Sequence, residues 1–156
     1  MNAMTPPHRG GAPVGFITEL GAIEASAVLY LRLWCGDHNA QTQVWNDFAT
    51  ALGAKNGRSA LKSLEALCDL CVRHGRRPLM RHHVTCKCLG SDAACFANFV
   101  GYASEGERED ALMIATTIVH PNMAPVLVGL AQDFGLALRQ MAVRAGRIDR
   151  KPKTLH

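Results

Sequence analysis

The segment that decides the fold reads APVLVGLAQDFGLALRQMAVRAG, residues 124–146. Its apolar side chains recur at alternating steps of four and three residues: Leu127, Ala131, Phe134, Leu138 and Met141. This spacing puts them on one face of an α-helix. Pro125 suits the first turn of a helix and Gly146 suits its end. The segment therefore predicts a long helix that buries one face against other helices.

Five segments upstream carry helical patterns of the same kind. They are predicted to begin near Thr18, Gln41, Arg58, Ser91 and Ser104. One stretch differs, because residues 79–89 alternate loosely between two faces, as a β-strand does. The sequence thus predicts a mainly α protein, a compact bundle of about six helices with at most one short strand or β-hairpin around residues 79–89. That strand would pair with the segment before it or with a second copy of the chain, unless the stretch is only an extended connector.

Length and composition predict one domain with a tail at each end. A chain of 156 residues fits a single domain. Residues 1–15 are predicted to be a flexible tail rich in Gly and Pro, residues 16–146 a helical domain, and residues 147–156 a basic tail. The longest apolar stretch is interrupted by three charged residues: Glu19, Glu24 and Arg32. Since no apolar leader is visible either, we expect a cytoplasmic protein without a membrane partner.

Charge alternates in blocks along the chain. Eight basic and two acidic residues give residues 55–88 a formal charge of +6, and residues 139–156 carry +5. One basic and six acidic residues give residues 89–138 a charge of −5, and residues 1–54 carry −2. Two explanations are open: attraction between oppositely charged parts of a solvated surface, or a basic footprint for phosphate groups.

The stretch FATALGAKNGRSALKSLEAL, residues 48–67, resembles bacterial helix-turn-helix segments. ATALG is similar to the first helix and turn, and SALKSL is similar to the start of a recognition helix. The resemblance implies that Arg58, Ser59 and Lys62 face DNA. It also implies that the basic stretch after this helix contacts phosphates, through Arg73, Arg76 and Arg77. The sequence departs from the motif in one extra turn residue and in Leu61, which falls where an exposed contact is expected.

Six cysteines lie between positions 35 and 95, where the stretch RHHVTCKC, residues 81–88, adds two histidines. Without an export signal, free thiols or metal ligands are expected and disulfides are not. One zinc set follows from the spacing: Cys68, Cys71, His82, Cys86 and Cys88. The competing interpretation is that the thiols fill space in the core, because Cys68 and Cys71 continue an apolar helical stripe. We favour core packing and expect no cofactor, with zinc as the alternative.

The sequence contains none of the common phosphate-binding, nucleotide-binding, zinc-protease or serine-hydrolase motifs. The sequence therefore favours a binding protein over an enzyme. The most specific hypothesis within this class is a DNA-associated regulator that binds DNA through residues 44–88. The alternatives are a protein–protein module, such as a homodimer formed through the helix face in residues 127–141, and a zinc-structured domain.

Overall fold

The computed structural model describes residues 9–149, with six α-helices and two short strands in that range. The helices are α1 (Ala22–Trp34), α2 (His38–Leu52), α3 (Ala54–His74), α4 (Ser91–Ser104), α5 (Arg108–Ile118) and α6 (Ala124–Asp149). The strands are β1 (Pro13–Phe16) and β2 (Cys88–Gly90), and single 3-10 turns lie at Arg9–Gly11, Ile17–Glu19 and Pro121–Met123. The mainly α fold predicted from the sequence is confirmed.

The two strands form one antiparallel sheet within the chain. Phe16 lies opposite Cys88 and Pro13 opposite Gly90, with an irregularity between Pro13 and Gly15. Only the end of the predicted strand region is a strand, and residues 79–87 form an irregular segment that begins after α3. Its partner comes from the predicted N-terminal tail, residues 9–15 of which are held by main-chain hydrogen bonds such as Ser91 N–H to the Ala12 carbonyl (3.0 Å). The rest of that predicted tail, residues 1–8, lies outside the described residues.

Helix α6 is the centre of the bundle and packs against each of the other five helices. The predicted seam is its core face, since Leu127, Ala131, Phe134 and Leu138 are almost fully buried there. By length and composition alone the segment Pro121–Gly146 could cross a membrane, a criterion that the central helix of a globular core also meets. The helix runs past its predicted end at Gly146, because this glycine does not have the positive φ of a helix-ending glycine. Residues 150–156 of the predicted basic tail lie outside the described residues.

Helices α2 and α3 are joined by a single residue, Gly53, whose φ of 85° favours glycine. Four residues later Gly57 lies against α2, where an added Cβ would stand 2.9 Å from backbone atoms of Phe48 and Ala49. The missing side chain therefore lets the two helices touch backbone to backbone. This corner fixes the direction of α3, which carries most of the candidate functional residues.

Candidate functional site

The segment 81–88 is built around a buried arginine from α1. Arg32 is only 6% exposed, and its guanidinium donates to the backbone carbonyls of His83 (3.2 Å), Cys86 (2.7 Å) and Cys88 (2.8 Å). Burial lowers the pKa of Arg32, and the neighbouring Cys86 and Cys88 oppose that shift. The dipoles of these carbonyls stabilise the buried charge, and the three hydrogen bonds hold the backbone of this irregular segment in one conformation.

The imidazole and thiol groups of this segment also make local contacts. The Nε2 of His82 lies 2.8 Å from the Gly11 carbonyl, and its Nδ1 lies 3.7 Å from the Cys86 sulfur. Hydrogen bonding with Cys86 raises the pKa of Cys88. His82 therefore ties this segment to the N-terminal residues beside the sheet.

The five residues of the predicted zinc set fall into two groups. Cys86, Cys88 and His82 lie beside one another near Arg32. Cys68 and Cys71 are instead neighbours of Cys35, at the end of α1. Within residues 9–149, no three His, Cys, Asp or Glu side chains are grouped closely enough to hold a metal ion.

A cavity of about 290 Å³ lies between the end of α1, the second half of α3 and the segment that follows α3. Its walls combine apolar side chains with three thiols and three guanidinium groups. The apolar lining is Leu31, Val72, Pro78, Leu79 and Phe96, and the thiols and cations are Cys35, Cys68, Cys71, Arg76, Arg77 and Arg81. Its volume is close to the lower end of known small-molecule pockets, and mixed apolar and charged walls are typical of them. We call it the thiol cavity.

Two anchors hold the outer wall of the thiol cavity in place. The carboxylate of Asp92, at the start of α4, accepts two hydrogen bonds from Arg77 (2.6 and 2.8 Å) and one from the Met80 N–H (2.7 Å). Arg76 donates its Nε to the Thr116 carbonyl (2.6 Å), at the end of α5. The charge of Arg77 is thus neutralised by Asp92, whereas the guanidinium of Arg76 donates to a neutral carbonyl.

The three thiols of the cavity differ sharply in acidity. The hydrogen bond with Cys68 lowers the pKa of Cys35 to about 7, burial opposes that shift, and the charge of Arg81 adds to it. The same hydrogen bond, followed by burial, raises the pKa of Cys68. Burial raises the pKa of Cys71 to about 12. Cys35 is therefore more acidic than Cys68, and it is also the more solvent-accessible of the two.

The residues predicted to contact nucleic acid are divided between the two ends of α3. Arg58, Ser59 and Lys62 are exposed in its first turns, and Lys55 lies on the same face one turn earlier. Arg73, in the last turn, pairs with Asp69 at 3.1 Å, while Arg76 and Arg77 belong to the wall of the thiol cavity. The structure brings together the first three predicted residues with Lys55, and it separates the other three from them.

The beginning of α3 carries no compensating negative charge of its own. Its N-cap is Gly53, which offers no side-chain acceptor, and no acidic residue lies in the first turn. Arg144 of α6 donates a hydrogen bond to the Ala51 carbonyl, at the end of α2. A further cation therefore lies at the same corner as the positive end of the α3 dipole.

Comparison with protein-family models, with curated proteins and with solved structures finds no match to this chain. The α3 surface and the thiol cavity are therefore the two candidate functional sites. Sequence reasoning missed Cys35, which lies 33 positions before Cys68, and Arg81, which lies 13 positions after it. It also missed the role of Arg32, although an arginine inside an apolar helix signals a buried polar partner.

Proposed function

We propose that the protein is a binding protein that engages the phosphate backbone of nucleic acid through one face of α3. This α3 basic face consists of Lys55, Arg58, Ser59 and Lys62. The observation that carries the proposal is that these three cations are exposed and that none of them forms a salt bridge within residues 9–149. Exposed cations grouped on one face of a helix can contact neighbouring phosphates.

The dimensions of the α3 basic face suit a duplex. Lys55 and Lys62 are seven residues apart, which is about 10 Å along a helix axis. That length of duplex carries roughly six phosphate charges. Ser59 adds a neutral hydrogen-bond donor between the cations, and the unpaired N–H groups at the helix start add to the attraction for anions.

The proposed contact differs from helix-turn-helix recognition. The corner between α2 and α3 has one residue, whereas the motif uses a turn of about three or four residues. Beyond Lys62, α3 exposes Glu65 and Asp69, which would repel phosphates. We therefore propose backbone contacts by the first two turns of α3, with affinity that varies little between DNA sequences.

The α6 face considered for a homodimer supports that alternative less well. Its seam, from Leu127 to Leu138, is buried inside the bundle, and the apolar residues left exposed on α6 are separate positions such as Val126, Leu136 and Val143. Isolated exposed apolar side chains are ordinary on protein surfaces. Nucleic-acid binding is therefore the function that the surface favours.

The test is fluorescence anisotropy with a short labelled DNA duplex, titrated at salt concentrations from about 50 to 200 mM. With three phosphate contacts, the logarithm of the binding constant should fall with the logarithm of salt at a slope of about −3. The double variant Arg58→Ala/Lys62→Ala should bind more weakly and reduce the slope to about −1.

The matched control removes the same charge elsewhere. Lys87 and Arg108 are exposed and lie outside the α3 basic face, so the variant Lys87→Ala/Arg108→Ala should bind almost as tightly as the wild type. Equal losses in the two double variants would mean that only net charge matters. That result, or no binding at the lowest salt, would refute the proposal.

A further inference from the structure

The thiol cavity has features that the α3 basic face does not explain. Cys35 follows directly after α1, Cys68 lies in α3, and both thiols line the cavity. Cys68 is buried, whereas Cys35 is partly exposed. A partly exposed thiol in the same cavity as a buried second thiol is an arrangement that suits an attacking and a resolving cysteine.

The cations of the cavity point to an anionic ligand. Arg81 reaches the Cys35 carbonyl only at 3.5 Å, and Arg76 donates to a neutral carbonyl. Neither forms a salt bridge in the described range, in contrast to Arg77 with Asp92. Two guanidinium groups without a carboxylate thus border a cavity that contains thiols. Guanidinium groups match carboxylates in shape and in charge.

We propose that the thiol cavity is a site of thiol–disulfide exchange with low-molecular-weight disulfides that carry carboxylates. In this proposal Cys35 is the attacking cysteine, Cys68 is the resolving cysteine, and Arg76 and Arg81 bind the carboxylates. The site is independent of nucleic-acid binding, because it uses the opposite end of α3.

The exchange balances in two steps. The Cys35 thiolate attacks one sulfur of the small disulfide, so that a bond forms to Cys35, the original S–S bond breaks, and one small thiolate leaves and takes up a proton. Cys68 then loses its proton and attacks the Cys35 sulfur, which releases the second small thiol. The small disulfide is reduced to two thiols, and the two cysteines are oxidised to one disulfide.

The environment of each thiol matches its step. An attacking thiol reacts best when its pKa is near the ambient pH, and the pKa of Cys35 is about 7. Cys68 stays protonated until the mixed disulfide removes the negative charge beside it. Cys71, whose pKa is raised to about 12 by burial, is much less reactive.

The test exposes the reduced full-length protein to oxidised glutathione, stops the reaction by acid and alkylation, and maps the products by mass spectrometry. The wild type should lose two thiols and yield one linked peptide pair that contains Cys35 and Cys68. Cys68→Ser should stop at one glutathione on Cys35, and Cys35→Ser should give neither product. Cys95→Ser, in a thiol outside the cavity, is the control and should behave as the wild type.

The role of the guanidinium groups is tested with cystamine, a disulfide whose ends are cationic. Wild-type protein should react with cystamine about tenfold more slowly than with oxidised glutathione, since like charges repel at the cavity. Arg81→Gln should reduce that preference, and Arg81→Lys should retain part of it. Circular dichroism of each variant checks the fold, and Cys68→Ala replaces Cys68→Ser if the buried hydroxyl unfolds the protein.

Three results would overturn the proposal. One is attachment of glutathione to Cys86, Cys88 or Cys95 as readily as to Cys35. Another is formation of the Cys35–Cys68 disulfide with hydrogen peroxide but not with oxidised glutathione, because the oxidant would then belong to another class. The third is an equal rate with cystamine, which would remove the argument for carboxylates.

Discussion

Replacement of Arg32 tests the arrangement that organises the segment 81–88. The side chain is buried and donates to three backbone carbonyls, at 3.2, 2.7 and 2.8 Å. Arg32→Ala removes these charged hydrogen bonds and leaves the carbonyls without a partner. We expect the variant to be less stable than the wild type and the backbone of the segment 81–88 to lose its single conformation.

The expected loss can be worked out from the contacts. A hydrogen bond to a charged group contributes about 1.5–3 kcal/mol, so three of them set an upper range of roughly 5–9 kcal/mol. Water will replace some of this, because His83 is exposed and Cys86 and Cys88 are only half-buried. We therefore expect Arg32→Ala to lower the free energy of unfolding by about 3–4 kcal/mol. Arg32→Lys keeps the charge but not the forked geometry, and it should lose roughly half as much.

Urea denaturation followed by far-ultraviolet circular dichroism measures the loss, and hydrogen exchange of the amides in residues 82–88 locates it. The control is Arg108→Ala, at an exposed arginine, which should change the free energy of unfolding by less than about 0.5 kcal/mol. If Arg32→Ala is within about 1 kcal/mol of the wild type, or if protection in the segment is unchanged, the reasoning is wrong.

Three further predictions concern the packing and acidity of single groups. Gly57→Ala should destabilise the protein by about 1–2 kcal/mol, because the new Cβ would meet the backbone of α2 at 2.9 Å. Gly129→Ala places its Cβ where no atom lies within 4 Å, so the better helix propensity of alanine should stabilise the protein by about 0.5–1 kcal/mol. The midpoints of urea denaturation compare the two variants. Asp92→Asn weakens the paired hydrogen bonds at 2.6 and 2.8 Å and should lower the free energy of unfolding, measured in urea, by about 2 kcal/mol. A loss that disappears in high-salt buffer would contradict this, because salt screens exposed pairs much more than buried ones. The rate of alkylation of Cys35 should rise with pH around a midpoint near 7, since the thiolate is the reactive form. Cys68→Ala should move that midpoint to higher pH, because the hydrogen bond with Cys68 lowers the pKa of Cys35. Mass spectrometry of the labelled peptide measures the rate in both proteins.

The sequence by itself determined the helices and their buried faces. Leu127, Phe134 and Leu138 are in the core of the structure. Their spacing puts them on one apolar face of a helix, and such a face packs away from water. The same holds for the exposure of Arg58 and Lys62, which lie opposite the buried side of their helix. Each of these features depends on residues three or four positions apart, and such spacing is visible in the sequence.

Only the tertiary structure decided how distant segments meet. Cys35 lines the same cavity as Cys68, 33 positions away, and Arg32 reaches carbonyls more than 50 positions away. β2 takes its partner from the N-terminal residues, and Asp92 holds Arg77 across a gap of 15 positions. The stretch RHHVTCKC is an example: its side chains are of the types that bind metal, but it is the backbone carbonyls of His83, Cys86 and Cys88 that bind the buried arginine. Every residue has such a carbonyl, so the sequence does not mark these three. Contacts of this kind follow from the packing of whole helices, and no local spacing encodes them.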